Sequence, residues 1–268
     1  MVVKGSKVTI VIPTYNAGKY IYETVDSCLK QTYSNIEIVV IDDNSMDNTL
    51  SILNEFSEEI RIIANKQNQG LPKNINSVIL SSDSEFFIYL GHDDLLPKDH
   101  VALILNEFDT GTAAIHCNSM AIGPNGNKIG LTRDDQIQQK KNANIMYELS
   151  LNNFLSVIGM MHRTSSFKKI GGWDTTYDLY GEWLYYTRLL SVGKIKYSTS
   201  STAFYRVHET NITKSLHNKD KLKAYYEYKK RCRILAKANC KMTVFGSVKY
   251  LKVSIMNYLR YLKCLLTK

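Results

Sequence analysis

Val8-Thr9-Ile10-Val11-Ile12, a run of β-branched residues, stops abruptly at Pro13-Thr14-Tyr15-Asn16. Such a run suits a strand buried on both faces, because apolar side chains occupy successive positions instead of every second one. Residues 19–31 follow with Ile21, Val25, Cys28 and Leu29 at helical spacing, which predicts a helix. The pattern then repeats. Residues 36–41 read as a second strand closed by the polar cluster 42–47, residues 48–56 as a helix, and residues 60–64 as a third strand. Asn68-Gln69-Gly70 is a turn, residues 71–80 a third helix, and residues 85–90 a fourth strand that ends at Gly91-His92-Asp93-Asp94. A helix over 98–108 and a strand over 112–117 complete the series.

Strand–helix alternation with short loops predicts an α/β fold, a mostly parallel sheet flanked by helices. Ligands of such sheets bind outside the carboxyl ends of the strands. The clusters 13–16, 42–47 and 91–94 each follow directly after a predicted strand, so they should gather at one edge of the sheet. The second half is less regular. Residues 124–127 form a hairpin turn, and the polar stretch 131–142 reads as a mobile loop. A strand over 157–162, a tight turn at 171–174, a helix over 182–190 and a strand over 202–207 are expected after it.

The chain has 268 residues, 44% hydrophobic and 22% charged, which excludes a disordered, collagenous or coiled-coil protein. Its five cysteines are odd in number and widely spaced, without a C-x-x-C pair. That argues against a zinc knuckle or a disulfide framework and for reduced thiols. The N-terminal apolar stretch is broken at Pro13, too soon for a signal sequence, and no apolar run is long enough to span a membrane. A cytoplasmic protein is expected. The net charge of +9 is unevenly divided. Residues 218–268 hold 14 Lys/Arg against two acids, whereas residues 1–217 hold 20 against 23. The reading is therefore a slightly acidic body, 1–217, and a basic helical tail, 218–268, with helices over 222–235 and 244–266.

Carboxylates after the second and fourth strands suit two tasks: accepting hydrogen bonds from a base or ribose, and holding Mg²⁺ or Mn²⁺ beside a diphosphate. Neither phosphate-cradling glycine pattern, G-x-x-x-x-G-K-[ST] nor G-x-G-x-x-G, is present, which argues against ordinary kinases and dehydrogenases.

Taken in order, residues 8–16, the run Ile41-Asp42-Asp43-Asn44-Ser45 with Asp47 and Thr49, Asn68-Gln69-Gly70 and residues 90–95 resemble the family 2 glycosyltransferases of the GT-A fold. Gly171-Gly172-Trp173-Asp174, Glu182 and Tyr205-Arg206-Val207-His208 extend the likeness, which covers about residues 6–215. The resemblance implies a GT-A type, Rossmann-like sheet with a nucleotide-sugar-binding half (about 1–118) and an acceptor half (about 119–217). It implies inverting transfer of a hexosyl group from a nucleotide diphosphate sugar, with a UDP-sugar as the expected donor. Pro13, Thr14, Tyr15 and Asn16 would line the nucleotide pocket, and Asp43 would accept from uracil N3–H. The Asp-x-Asp signature corresponds to Gly91-His92-Asp93. Asp93 would ligate Mn²⁺ or Mg²⁺ with Asp94 or His208 compensating for the missing first acid, and His92 stands between them at the nucleotide. Lys73 is a candidate for the arginine that many members carry near Asn76. Glu182, in the pair Gly181-Glu182 where the family has Glu-Asp, would be the catalytic base.

Each motif also has a plainer reading. Residues 42–47 could be an Asx turn and helix cap, and Asp93, Asp94 and Glu182 acids at helix starts. His208 could be a structural histidine, and Trp173 core packing. In the tail, Tyr225, Tyr226, Tyr228, Tyr250, Tyr258 and Tyr261 lie among cations. This suits either a helical pair packed on the body or an anchor on anionic lipid of the inner membrane leaflet, and the latter is favoured. The tail could also pair subunits into a homodimer, while nucleic-acid binding has no module to support it. The expected function is glycosyl transfer to a glycan or lipid-linked oligosaccharide acceptor in surface polysaccharide synthesis. The alternative is a non-catalytic nucleotide-sugar binder, suggested by Gly91.

Overall fold

A computed structural model describes residues 5–176, 181–209, 211 and 219–266. Eight strands form one sheet: β1 (Val8–Thr14), β2 (Ile36–Asp42), β3 (Arg61–Ala64), β4 (Phe86–Tyr89), β5 (Thr112–Ile122), β6 (Lys128–Leu131), β7 (Met161–Arg163) and β8 (Lys194–Arg206). Their order is β3-β2-β1-β4-β7-β5-β6, with β8 also paired to β5. The block β3-β2-β1-β4 is wholly parallel, and the β5–β8 pair is parallel as well. Only β7 and β6 run antiparallel to their neighbours.

The apolar runs are buried on both faces, as the sequence requires. Val8, Ile10 and Ile12 of β1 and Ile38 and Val40 of β2 face one layer. That layer contains α1 (Ile21–Leu29), α2 (Thr49–Asn54) and α4 (His100–Leu105). Val11, Val39 and Ile41 face the other. It is built from α3 (Leu71–Ile79), α6 (Ile145–Leu151), α7 (Thr164–Lys169) and α8 (Gly181–Leu189). Alternation along one pleated strand thus feeds two separate cores.

The last two helices are α9 (Lys219–Ala238) and α10 (Val244–Leu266). Tyr228, Cys232 and Ala236 of α9 belong to the same core as α6 and α8. The Leu184 amide donates to Tyr228 Oη at 2.9 Å, and Arg233 Nε donates to the Leu151 carbonyl at 3.0 Å. The boundary in charge near residue 218 is therefore not a boundary in packing, since α9 closes one face of the body.

Three local expectations are corrected. The stretch 131–142 is not a loop throughout: α5 (Asp135–Ala143) occupies most of it. Asp134 caps it by accepting from the Ile137 amide at 2.8 Å. Only Gln138 of this helix is buried, so no apolar period betrays it. The strand over 157–162 shrinks to Met161–Arg163 because Gly159 turns at φ +70 beneath His100, where a Cβ would lie 2.8 Å from the imidazole. The strands over 112–117 and 202–207 run to Thr112–Ile122 and Lys194–Arg206, since each is the other's partner across a register shift at Cys117/Asn118. Cys28, Cys117, Cys232 and Cys240 are unpaired thiols. No helix among the described residues is long and apolar enough to cross a membrane.

Candidate active site

The carboxyl ends of β1, β2 and β4 open into one cleft of about 770 Å³. Pro13, Thr14 and Tyr15 line it after β1, Asp43 after β2, and Tyr89 with Gly91, His92, Asp93 and Asp94 after β4. Ser119, Thr132, Arg133, Ser156 and Glu182 line it as well. Polar clusters far apart in the chain meet because parallel strands in register end at one level: Thr14 is opposite Asp42.

Asp43 organises the first wall. Its Oδ1 accepts from Asn65 Nδ2 at 2.8 Å and from the Gln69 amide at 2.9 Å, and its Oδ2 accepts from the Gly70 amide at 2.9 Å. Burial works to raise the Asp43 pKa, but the donors Gln69, Asn65, Gly70 and Asn74 outweigh it and hold the carboxyl below its usual range. Asn68-Gln69-Gly70 is thereby tied to the end of β2. Gly70 enters α3 at φ +84, a conformation that glycine adopts without strain. Thr14 Oγ1 is buried at the cleft and finds no hydrogen-bond partner among the described residues, as does Asp42 Oδ1. Buried polar atoms left unpaired are costly. Asn16, at φ +50, lies behind this wall, where its amide donates to Ser45 Oγ at 2.9 Å.

Asp93 and His208 form the second group. His208 Nε2 is 2.8 Å from Asp93 Oδ2, and Asn211 Nδ2 reaches the same oxygen at 3.2 Å. A carboxylate oxygen and an imidazole nitrogen in contact suit Mn²⁺ or Mg²⁺ if the diphosphate and waters complete the shell. The described residues hold no cluster of three or more His, Cys, Asp and Glu that could bind a metal alone. Asp94 instead turns inward, its Oδ1 accepting from the Arg206 amide at 3.0 Å. Burial first, and then the neighbouring Asp93, raise its pKa well above the ordinary value. A Cβ on Gly91 would lie 2.9 Å from Asp94 Oδ2 and 3.0 Å from Asp93 Oδ1, so these carboxylates fill the space of the missing side chain.

Arg206, part of the Tyr205–His208 motif but given no role by it, holds this group in place. Its side chain is wholly buried. Nε donates to the Asp93 carbonyl at 2.9 Å, Nη1 to the Pro124 carbonyl at 3.1 Å and Nη2 to Glu23 Oε2 at 2.7 Å. The guanidinium also lies 4.7 Å from the Tyr20 ring centroid, and Tyr20 in turn contacts the His208 ring at 4.8 Å.

Glu182 lies in the first turn of α8 and lines the cleft. Burial raises its pKa to about 7, against the lowering influence of Arg133. The residue before it must be small: a Cβ on Gly181 would lie 2.4 Å from the Trp173 indole nitrogen. Trp173, stacked at 5.5 Å on Tyr185, is a core residue. Lys73 stands elsewhere. The helical period of α3 turns Leu71 and Asn74 to the cleft and leaves Lys73 exposed on another side. The cation that does line the cleft is Arg133, from a polar segment with no strand or helix signal to mark it.

The sequence profile of glycosyl transferase family 2 matches residues 9–171. The chain belongs to that family. An uncharacterized glycosyltransferase of Rickettsia typhi is 29% identical over 214 residues, covering 79% of this chain and 67% of the relative. A chondroitin synthase of Escherichia coli is 36% identical over 127 residues, but these are 46% of this chain and 18% of that enzyme. The chain thus spans a small part of some of its relatives. Among solved structures, S. aureus TarS 1–349 in complex with UDP-GlcNAc superposes with a TM-score of 0.70 and 20% identity, over 95% of this chain and 73% of that one. The mannosyltransferase PcManGT of Pyrobaculum calidifontis, with GDP-Man and Mn²⁺, gives 0.63 and 14%, over 98% and 86%. These likenesses establish a GT-A fold for the chain.

Proposed function

We propose that the chain is an inverting glycosyltransferase that takes a hexosyl group from a UDP-sugar, with Mn²⁺ or Mg²⁺, and passes it to a hydroxyl of a glycan or lipid-linked acceptor in surface polysaccharide synthesis. The observation that carries this reading is the cleft in which Thr14, Asp43, Asp93 and Glu182 meet. The ligands named for the TarS and PcManGT structures, UDP-GlcNAc and GDP-Man with Mn²⁺, support a nucleotide sugar in that place.

Uracil would lie against Pro13, Thr14 and Tyr15, its N3–H directed at the Asp43 carboxylate. Asp93 and His208 would hold the divalent ion, with Asp94 shaping the loop behind Asp93 and His92 beside the ribose. When bound, the ion would supply positive charge to the departing diphosphate. Glu182 would take the proton from the acceptor hydroxyl as that oxygen bonds to the anomeric carbon. The carbon–oxygen bond to the diphosphate breaks on the opposite face, and its electron pair leaves with UDP. Replacing Asp43 with alanine removes the uracil acceptor and frees the 68–70 turn. UDP affinity should then fall roughly 10- to 100-fold, as expected for losing one charge-assisted hydrogen bond. Calorimetric titration of UDP with Mn²⁺ checks this, and unchanged affinity would remove Asp43 from the site. Metal-dependent release of UDP in the presence of acceptor separates an enzyme from a non-catalytic binder.

We also propose that α10 rests on an anionic membrane surface. Val244, Val248, Leu251, Ile255 and Leu259 fall at helical spacing and are all at least half exposed. Lys249, Lys252, Arg260 and Lys263 are exposed around them, and the helix contains no acid. Four cations near anionic lipid contribute about 1 kcal/mol each. Flotation with phosphatidylglycerol vesicles should carry the protein, whereas pure phosphatidylcholine should not. Aspartates at Leu251 and Leu259 should abolish flotation without unfolding the body. Flotation that survives them would refute the anchor.

A further inference from the structure

Among the described residues lining the cleft, Arg133 supplies the only lysine or arginine side chain. It projects from the segment between β6 and α5, and the backbone of that segment is fixed: Asn118 Nδ2 donates to the Arg133 carbonyl at 2.7 Å. One guanidinium nitrogen donates to the Phe154 carbonyl. No carboxylate among the described residues lies within ion-pair distance of it. A half-buried guanidinium has five N–H donors in a fork that fits a carboxylate or phosphate. This one spends a single nitrogen on a carbonyl and keeps the rest of the fork beside the cleft.

Its position along the cleft decides which part of a ligand it can meet. The charges and rings within its field are Glu182, Tyr186, Tyr197 and His116. Its bond to the Phe154 carbonyl sets the guanidinium against the cleft wall at Leu155 and Ser156, within the field of Glu182, whereas His208 contacts Asp93 and Arg206 holds the Asp93 carbonyl. In an inverting displacement the attacking hydroxyl and the leaving diphosphate lie on opposite faces of the anomeric carbon. A cation in the field of the base, and with no contact to the Asp93 group, fits the acceptor's side. Around it, Ser119, Thr132, Asn153 and Ser156 offer hydroxyl and amide groups suited to a sugar.

We propose that Arg133 selects an acceptor bearing an anion, a carboxylate or a phosphate, close to the hydroxyl that attacks. The proposal rests on the glycosyltransferase reading, with Glu182 as base, and adds the chemical class of the acceptor. It also explains why an arginine is tolerated next to the base: an acceptor anion neutralises the guanidinium in the ternary complex, and Glu182 keeps the acceptor proton as its task.

The test uses the full chain saturated with UDP and Mn²⁺, with thermal stability as readout. Methyl glucuronide is compared with methyl glucoside for a carboxylate, and glycerol 3-phosphate with glycerol for a phosphate, all at equal ionic strength. At least one anionic probe should stabilise the protein while its neutral counterpart does not. Arg133→Gln should lower the apparent affinity for that probe at least tenfold and leave the response to UDP unchanged, and Arg133→Lys should restore part of it. Equal responses to the anionic and neutral probes would overturn the proposal, and so would an anion response that survives in Arg133→Gln. A donor arm tests the other side of the reacting bond. If Arg133→Gln weakens UDP-glucuronate but not UDP-glucose, Arg133 reads the donor and the acceptor assignment is wrong. Failure of UDP itself to stabilise the native protein would instead sink the nucleotide reading, which the Arg133 comparison does not touch.

Discussion

Glu182→Gln should lower kcat by about 10²–10⁴-fold, the usual cost of losing a general base, with little change in UDP affinity. The amide keeps the shape of the side chain and removes only its basicity. Burial in the cleft raises the Glu182 pKa to about 7, with Arg133 pulling against the rise. A base must be ionised to accept a proton, so kcat/KM of the native enzyme should climb as pH rises towards about 7 and level off above it. Removing the Arg133 charge should move that limb to higher pH, because only burial would then act on the carboxyl. The same shift is a stability statement. A carboxyl whose folded pKa is raised binds a proton more readily in the folded than in the unfolded chain. Its penalty on the fold is thus absent at low pH, grows as pH rises from the ordinary carboxyl value, and is complete above about 7. Glu182→Gln should accordingly stabilise the protein at pH 8 more than at pH 5. A variant that turns over within tenfold of the native rate would show that the base lies elsewhere.

Arg206→Met should destabilise the fold by about 2–5 kcal/mol, because two carbonyls lose their donor at about 1–3 kcal/mol each while the half-exposed Glu23 returns to water. The arginine is wholly buried and ties the Asp93 carbonyl, the Pro124 carbonyl and Glu23 together against the Tyr20 ring. Methionine fills much of the volume but leaves two buried carbonyls without their donor. For a chain of this size the melting temperature should fall on the order of 10 °C. Lysine should not rescue it, because a single ammonium cannot span three acceptors held in a planar fork. The loss should extend to the site, since Asp93 is anchored through its carbonyl to this guanidinium. Stabilisation by UDP with Mn²⁺ should weaken in parallel. An unchanged melting temperature would show that the network contributes nothing net.

The legible part of the fold follows from periodicity. Five of the strands announce themselves as short apolar or β-branched runs, and the helices α1 to α4 by apolar side chains on one face. Parallel strands buried on both sides carry their own signature, so the parallel sheet and the edge where the loops after β1, β2 and β4 meet are legible, while the spatial order of the strands is not. That Asp43, Asp93 and Glu182 would share a cleft is legible for a different reason, their place in an ordered series of motifs. The polar helix α5 was not, because a helix that buries one glutamine has no apolar stripe to read.

The alternation of elements, the clustering of acids after strands and the family likeness are all readable from the chain, because these depend on neighbours within a few residues. What stands beside what across the sheet is not readable in that way. That Arg206 lies under Asp93, that Asp94 fills the space over Gly91, that Trp173 forbids a side chain at position 181, and that Arg133 rather than Lys73 enters the cleft are facts of tertiary packing. Each joins residues far apart in the chain, and distances of that kind are fixed only when the sheet closes and side chains compete for the same volume.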